Sequence, residues 1–381
     1  MPASMPIPRA EALPLPAPVW LLESLLVLTF FLHVLPMAAV LGGSVLTLVS
    51  DLLGRRRPAY RELADRLAGL LPVAMPATIT LGVAPLLFIQ LLYGNLFYPA
   101  TVLMGWPWLS TLGLLILAYY GMYVAALAGR RLRQARTWIL LGVSLLVGVV
   151  AMVFSRGYAF MLQPERWMAV YSADPRGLGL PAAGAEGAPR FLHALLAAFA
   201  LAGGYLAAYA AWAGRPGDVP AHAGAGRKLG LAVLVMSLGG QAVVAPWYWR
   251  TLPEVARAAI GALPGGTVLL AAGPVLALLG LVLLALAVPG RPQARLAGLL
   301  GALVLALAAA PPAILREVAR RAQAVQYLPP EGWQVAAQWG LMAVFAAFLV
   351  LALGTVVWMV LPYAREREGV IPPEPEPSPG D

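Results

Sequence analysis

The chain has 381 residues, 61% of them apolar and only 11% charged, with a mean hydropathy of +0.79 and a net charge of +9. A soluble globular chain carries roughly 45–50% apolar and about 25% charged residues, so a water-soluble domain is excluded. The absence of cysteine excludes disulfides, thiolate metal sites, iron–sulfur clusters and covalent attachment of a c-type haem.

The first 17 residues hold five prolines and Arg9 and no apolar stretch of signal-peptide type, so the first span is expected to direct insertion. From there the apolar residues fall into blocks of about 20, the length a helix needs to cross roughly 30 Å of hydrocarbon. The predicted spans are 20–49, 67–93, 101–128, 137–155, 191–213, 229–249, 267–289, 296–315 and 337–362. The expected fold class is therefore all-α, a polytopic transmembrane bundle of about nine spans. The expected domains are a short outer segment 1–19, a transmembrane domain 20–363 and a disordered cytoplasmic tail 364–381.

Charge orients the bundle. The connections beginning at Arg55, Arg130, Arg215, Arg291 and Arg365 hold 16 of the 26 basic residues. By the positive-inside rule they face the cytoplasm, which places the N-terminus outside and the C-terminus inside. Basic residues in so apolar a chain serve anionic lipid, and nucleic acid is not an expected partner. No internal repeat is visible, which argues against an inverted-repeat transporter.

Ionisable groups within or at the rim of spans are costly in hydrocarbon, so each is a functional candidate. His33 lies in the first span three residues before Pro36, and fits either a haem ligand or a histidine hydrogen-bonded to a neighbouring helix. His193 opens the fifth span after Pro189-Arg190-Phe191, where an interfacial side chain is the plainer reading. His222 falls in the Gly/Ala/Pro-rich stretch from Arg215 to Arg227 and reads as solvated. At the end of the eighth span, Glu317 is followed by Arg320 and Arg321 at helical spacing, so carboxylate and guanidinium can share a face. Met236 and Met342 lie in spans and read as packing residues. Aromatic clusters at Tyr93–Tyr98, Trp106–Trp108 and Trp247–Trp249 read as interfacial belts.

These pieces, in this order, resemble subunit I of the cytochrome bd family of quinol oxidases. His33 looks like that family's first-span haem ligand. Leu81-Gly82-Val83-Ala84, followed by Gln90 and Tyr93-Gly94-Asn95, is similar to its second-span sequence. Gly157 and Met161-Leu162-Gln163-Pro164 resemble the segment after its fourth span. Phe191-Leu192-His193 looks like the start of its fifth span, and Glu317-Val318-Ala319-Arg320 like its Glu-X-Gly-Arg.

The resemblance implies that His33, His193 and Glu317 are axial ligands of haem b, one to three per chain. Arg320 and Arg190, with Arg316 and Arg321, would meet haem propionates. It also implies a quinone, a companion such as a subunit II-like protein or a c-type cytochrome, and, if the chain is an enzyme, a quinol-oxidising oxidoreductase. The chain departs from the family in four places. Residues 101–128 contain no Asp, Glu or His, Arg320-Arg321-Ala322-Gln323 lacks the full Gly-Arg-Gln-Pro-Trp signature, the loop 250–265 is short, and 267–289 contain no Met. The expected function is thus a haem b electron-transfer subunit of a respiratory complex, working between membrane quinone and an outer-side partner. The alternatives are a true quinol:oxygen oxidoreductase and a haem-free scaffold or transporter subunit.

Overall fold

The computed structural model describes residues 14–127, 132–328 and 333–365, except for the side chains of 133 and 360–365. The segment 1–13, Arg130 and Arg131, and residues 366–381 lie outside the described residues, and with them most of the expected outer segment and tail.

The described residues form twelve α-helices: α1 Val19–Gly54, α2 Pro58–Leu103, α3 Gly105–Leu127, α4 Arg133–Phe160, α5 Trp167–Ala173 and α6 Gly187–Ala213, then α7 Ala221–Thr251, α8 Glu254–Ala262, α9 Gly266–Leu286, α10 Ala294–Leu307, α11 Ala310–Ala324 and α12 Trp339–Arg365. Among the described residues, nine are long and apolar enough to cross a membrane, counting α10 and α11 as one broken span. The chain is a multi-pass membrane protein. Residues up to Ala337 form one compact unit, and α12 falls in a second, from Gln338 onward.

The sequence blocks understate the helices. Helix α2 runs 46 residues, roughly 69 Å at 1.5 Å per residue, well beyond the hydrocarbon thickness. It is broken where Tyr93 leaves helical geometry (φ −125°, ψ 24°), so the expected loop after residue 93 is a further helical stretch. The eighth span breaks between α10 and α11 for a covalent reason. Pro311 and Pro312 have no N–H to donate to the carbonyls of Leu307 and Ala308, and the first turn of a helix tolerates proline. The long connection 156–190 also holds more structure than expected, namely the end of α4, a 3₁₀ turn Pro164–Arg166 and α5.

Helices pack as sequential pairs, α1 with α2, α3 with α4, α6 with α7 and α9 with α10, while α6 also touches α1 and α10. In lipid there is little hydrophobic drive to pair helices, so close backbone approach through small residues carries the packing. Gly203 and Gly230 illustrate this. A Cβ on Gly203 would stand 2.7 Å from the Gly230 carbonyl, and one on Gly230 would stand 2.6 Å from the Gly203 carbonyl. The core of the bundle includes Leu41, Leu71, Met75, Met122, Leu140, Leu201 and Leu234. The other faces of α3 and α9 present exposed Leu and Val, as lipid-facing helices do.

Candidate functional site

Two polar clusters sit at opposite ends of this bundle. The first gathers the start of α1, the break in α2, the end of α4, the start of α6 and the end of α11.

At its centre is Glu317, buried on α11. Its Oε1 accepts a hydrogen bond of 2.6 Å from the Tyr93 hydroxyl, and its Oε2 pairs with the Arg320 guanidinium. Tyr93 is wholly buried, and Arg320 also lies over its ring at 5.9 Å. The break in α2 puts Tyr93 there. Next in the same cluster, Arg321 donates to Glu23 Oε2 at 2.7 Å, while Glu23 Oε1 is buried without a hydrogen-bond partner among the described residues. Arg190 pairs with Glu186 at 3.6 Å, one helical turn away.

Arg316 differs from its neighbours. Among the described residues no carboxylate lies within ion-pair distance of it. Its guanidinium instead lies over the rings of Phe30, at 4.1 Å, and Tyr158, at 5.4 Å. Cation–π contact offsets part of the cost of burying a cation, but it leaves the charge uncompensated.

His33 lies deeper along α1. Its Nδ1 donates to the Thr78 carbonyl on α2 at 3.0 Å, an acceptor that fixes the proton on that nitrogen and leaves Nε2 with its lone pair. The ring packs on Gly82, where an added Cβ would stand 2.8 Å from His33 Cε1. The glycine of Leu81-Gly82-Val83-Ala84 is therefore explained by this contact. His193 is partly buried on α6, with its ring 5.6 Å from that of Tyr248. Its Nδ1 is buried close to Gln241 Oε1 on α7, and among the described residues neither atom makes a hydrogen bond of normal geometry.

A cleft of about 500 Å³ opens at the same end, lined by polar groups of Gln163, Glu165, Arg166 and Tyr327 and by apolar Leu162, Pro253 and Val255. Tyr327 donates to Glu165 at 2.8 Å across it, and burial together with that bond pushes the phenol up to about 12.

The second cluster ties the other ends of α1, α2, α4 and α7. Buried Arg136 pairs with Asp65 and lies 3.6 Å from Asp51, whose other oxygen accepts 2.5 Å from Thr137. Arg55 donates to Thr137, and Arg66 to Glu62. Here the expectation for His222 is corrected. It lies not in a solvated loop but buried in the first turn of α7, 2.8 Å from Glu62 Oε1. The physical reason is that α7 starts at Ala221, and its Gly/Ala-rich first turns pack closely, with Gly226 against Leu206 and Leu63. The stretch that reads as a flexible loop is a tightly packed helix start.

The structure thus brings Glu317, Arg320, Arg316 and Tyr93 into one cluster and places His33 and His193 on neighbouring helices α1 and α6. Met236 is 74% exposed and points away from the bundle, so it supplies no ligand to a group at His193 within this chain. Sequence reasoning overlooked Glu23 and Gln241, and took Tyr93 for a belt residue. A carboxylate four residues into an apolar span, as Glu23 is, was the available signal.

No family model and no curated protein matches the chain. Among solved structures, the bd oxidase from Geobacillus thermodenitrificans superposes with a TM-score of 0.73 at 15% identity, over 92% of this chain and 98% of that one. The chain has the bd-oxidase fold. At that identity the likeness extends to the fold and goes no further.

The fold family implies haem, and the donor set can be tested against it. His33 fits, since Nε2 keeps its lone pair and a backbone carbonyl sets the tautomer, as metal-bound histidines require. His193 fits as a partly buried imidazole on a span. Arg316 fits as a cation in need of an anion. Glu317 is already engaged at both oxygens, although a carboxylate keeps further lone pairs.

Proposed function

We propose that this chain is a haem b-binding electron-transfer subunit of a bd-like respiratory complex in the bacterial inner membrane. It would pass electrons between membrane quinone and an outer-side redox partner. The observation that carries the proposal is His33, a span histidine whose proton is committed to a backbone carbonyl and whose ring rests on a glycine.

In this reading His33, His193 and Glu317 offer axial ligands, and the Glu317 end of the bundle faces outward, in keeping with the charge bias of the connections. A haem held there supplies one-electron transfer through its iron. The chain's own residues do the rest. Thr78 keeps the proton on His33 Nδ1, Tyr93 and Arg320 hold the Glu317 carboxylate, and Arg316, with Arg190, offers charge to propionates, which guanidinium groups bind well. The cleft beside Gln163 and Tyr327 offers hydrogen-bonding groups to a quinone headgroup. The partner would be a second membrane subunit or a c-type cytochrome at that end.

A span 101–128 without Asp, Glu or His supports electron transfer over proton-consuming oxygen reduction. The test is a pyridine haemochrome and a redox-difference spectrum of the purified chain and its complex, with His193→Ala and Glu317→Ala alongside. A b-type signal that falls in either variant supports the reading. Absence of a b-type signal from the wild type overturns it.

A further inference from the structure

Helices α6 and α7 are antiparallel, and their register is set by the reciprocal Gly203–Gly230 backbone contact. Gly240 confirms that register toward the Glu317 end, because a Cβ there would stand 3.0 Å from Leu196. Ten residues along α6 from Gly203 lies His193, and eleven along α7 from Gly230 lies Gln241. At about 1.5 Å of rise per residue these two stand opposite each other.

The contact is specific. Gln241 Nε2 donates to the main-chain carbonyl of His193 at 2.8 Å, which pins the amide to the histidine's own backbone. That bond also fixes which way round the amide lies, with Oε1 on the other side. Both Gln241 Oε1 and His193 Nδ1 are buried, and neither has a hydrogen-bond partner of normal geometry, although each lies close to the other. An unpaired buried donor or acceptor is costly, and buried polar atoms are almost always satisfied. Here the two orphans are complementary, since a protonated Nδ1 donates and an amide oxygen accepts. Tyr248 faces the ring at 5.6 Å and 35°, restricting its rotation.

We propose that Gln241 is a positioning residue for His193. It holds the imidazole in the Nδ1–H tautomer and so presents Nε2, with its lone pair, as the metal-binding nitrogen. The inference deepens the haem reading and rests on it for the ligand, but the tautomer itself belongs to the polypeptide. A histidine ligand is oriented in this way wherever its second nitrogen is tied to an oxygen acceptor, and the tie also raises its basicity. The arrangement parallels His33, where the acceptor is the Thr78 carbonyl. Two span histidines on different helices would then have their protons directed by the same device.

The experiment uses the full chain labelled with ¹⁵N-histidine, free of haem, with His193→Gln to assign the signal, and compares wild type with Gln241→Leu and Gln241→Glu. The nitrogen shifts of His193 report its tautomer directly. The wild type is expected in the Nδ1–H form, and Gln241→Leu to move the ratio roughly fivefold or more toward Nε2–H, the loss of one hydrogen bond. Gln241→Glu keeps an acceptor and is expected to retain the Nδ1–H form. An Nε2–H wild type, or a tautomer ratio unmoved in Gln241→Leu, overturns the proposal.

The haem-loaded protein gives a second reading. Loss of the acceptor is expected to raise the midpoint potential in Gln241→Leu, and a carboxylate acceptor to lower it in Gln241→Glu. A b-type spectrum with a potential indifferent to both variants also overturns the role of Gln241 while leaving the haem reading intact. Absence of a b-type spectrum from the wild type overturns the haem reading, and the tautomer result then decides the positioning role alone.

Discussion

The hydroxyl of Tyr93 donates to Glu317 Oε1 across 2.6 Å, joining residues 224 positions apart in the chain. The bond forms at the break in α2 and holds one oxygen of a buried carboxylate whose other oxygen belongs to Arg320. Tyr93→Phe removes the donor and keeps the ring. It is expected to lower stability by about 1–3 kcal/mol, because the carboxylate then stays buried one hydrogen bond short. Thermal unfolding in detergent checks this. In the Glu317→Gln background the same substitution should cost less, since a hydrogen bond to a charged acceptor is the stronger kind.

Gly82→Ala is expected to reproduce the spectral effect of His33→Ala without removing the histidine. The added methyl would meet the imidazole at 2.8 Å from Cε1, so the ring must turn away from Thr78. Loss of the same b-type component in both variants, by difference spectroscopy, is the expected outcome. A normal spectrum in Gly82→Ala together with a depleted one in His33→Ala would show that ring placement is not set by this contact.

Arg316→Met separates cofactor retention from folding. Two effects oppose each other in the haem-free chain. Loss of the contacts to Phe30 and Tyr158 costs about 1 kcal/mol, while relief from burying an unpaired cation offsets a similar amount. Apo stability is therefore expected to change little, whereas haem content per chain should fall several-fold. Haem-to-protein ratio and the unfolding midpoint are the two measurements.

At the other end of the bundle, Asp51→Ala is expected to destabilise by roughly 1–3 kcal/mol, because it strips Thr137 of its acceptor and leaves buried Arg136 with the exposed Asp65 alone. The b-type spectrum should be unaffected. A spectral change would mean that the two ends are coupled through α1.

The number and order of spans were legible in the sequence because hydropathy in blocks of about 20 residues is a local property, and lipid leaves a polar backbone few alternatives to a helix. His33, His193, Glu317 and the arginines could be picked out for the same reason, since an ionisable group in such a block is rare. Boundaries were less legible. The extension of α2 past residue 93, helix α8 and the early start of α7 at Ala221 are helical stretches that read as loops, and proline, glycine and alanine content hid their packing.

What the sequence alone determined is the material: nine apolar blocks, three histidines and a few charges at their ends. Only the tertiary structure decided their company. It set His222 against Glu62, Tyr93 against Glu317 and Gln241 against His193, and it laid Arg316 over the rings of Phe30 and Tyr158. The reason is geometric, because one residue along a helix turns a side chain by about 100°, and which face meets which neighbour depends on crossings between segments far apart in the chain. Glycine contacts such as Gly203–Gly230 set that register, and they carry no charge or motif to announce it.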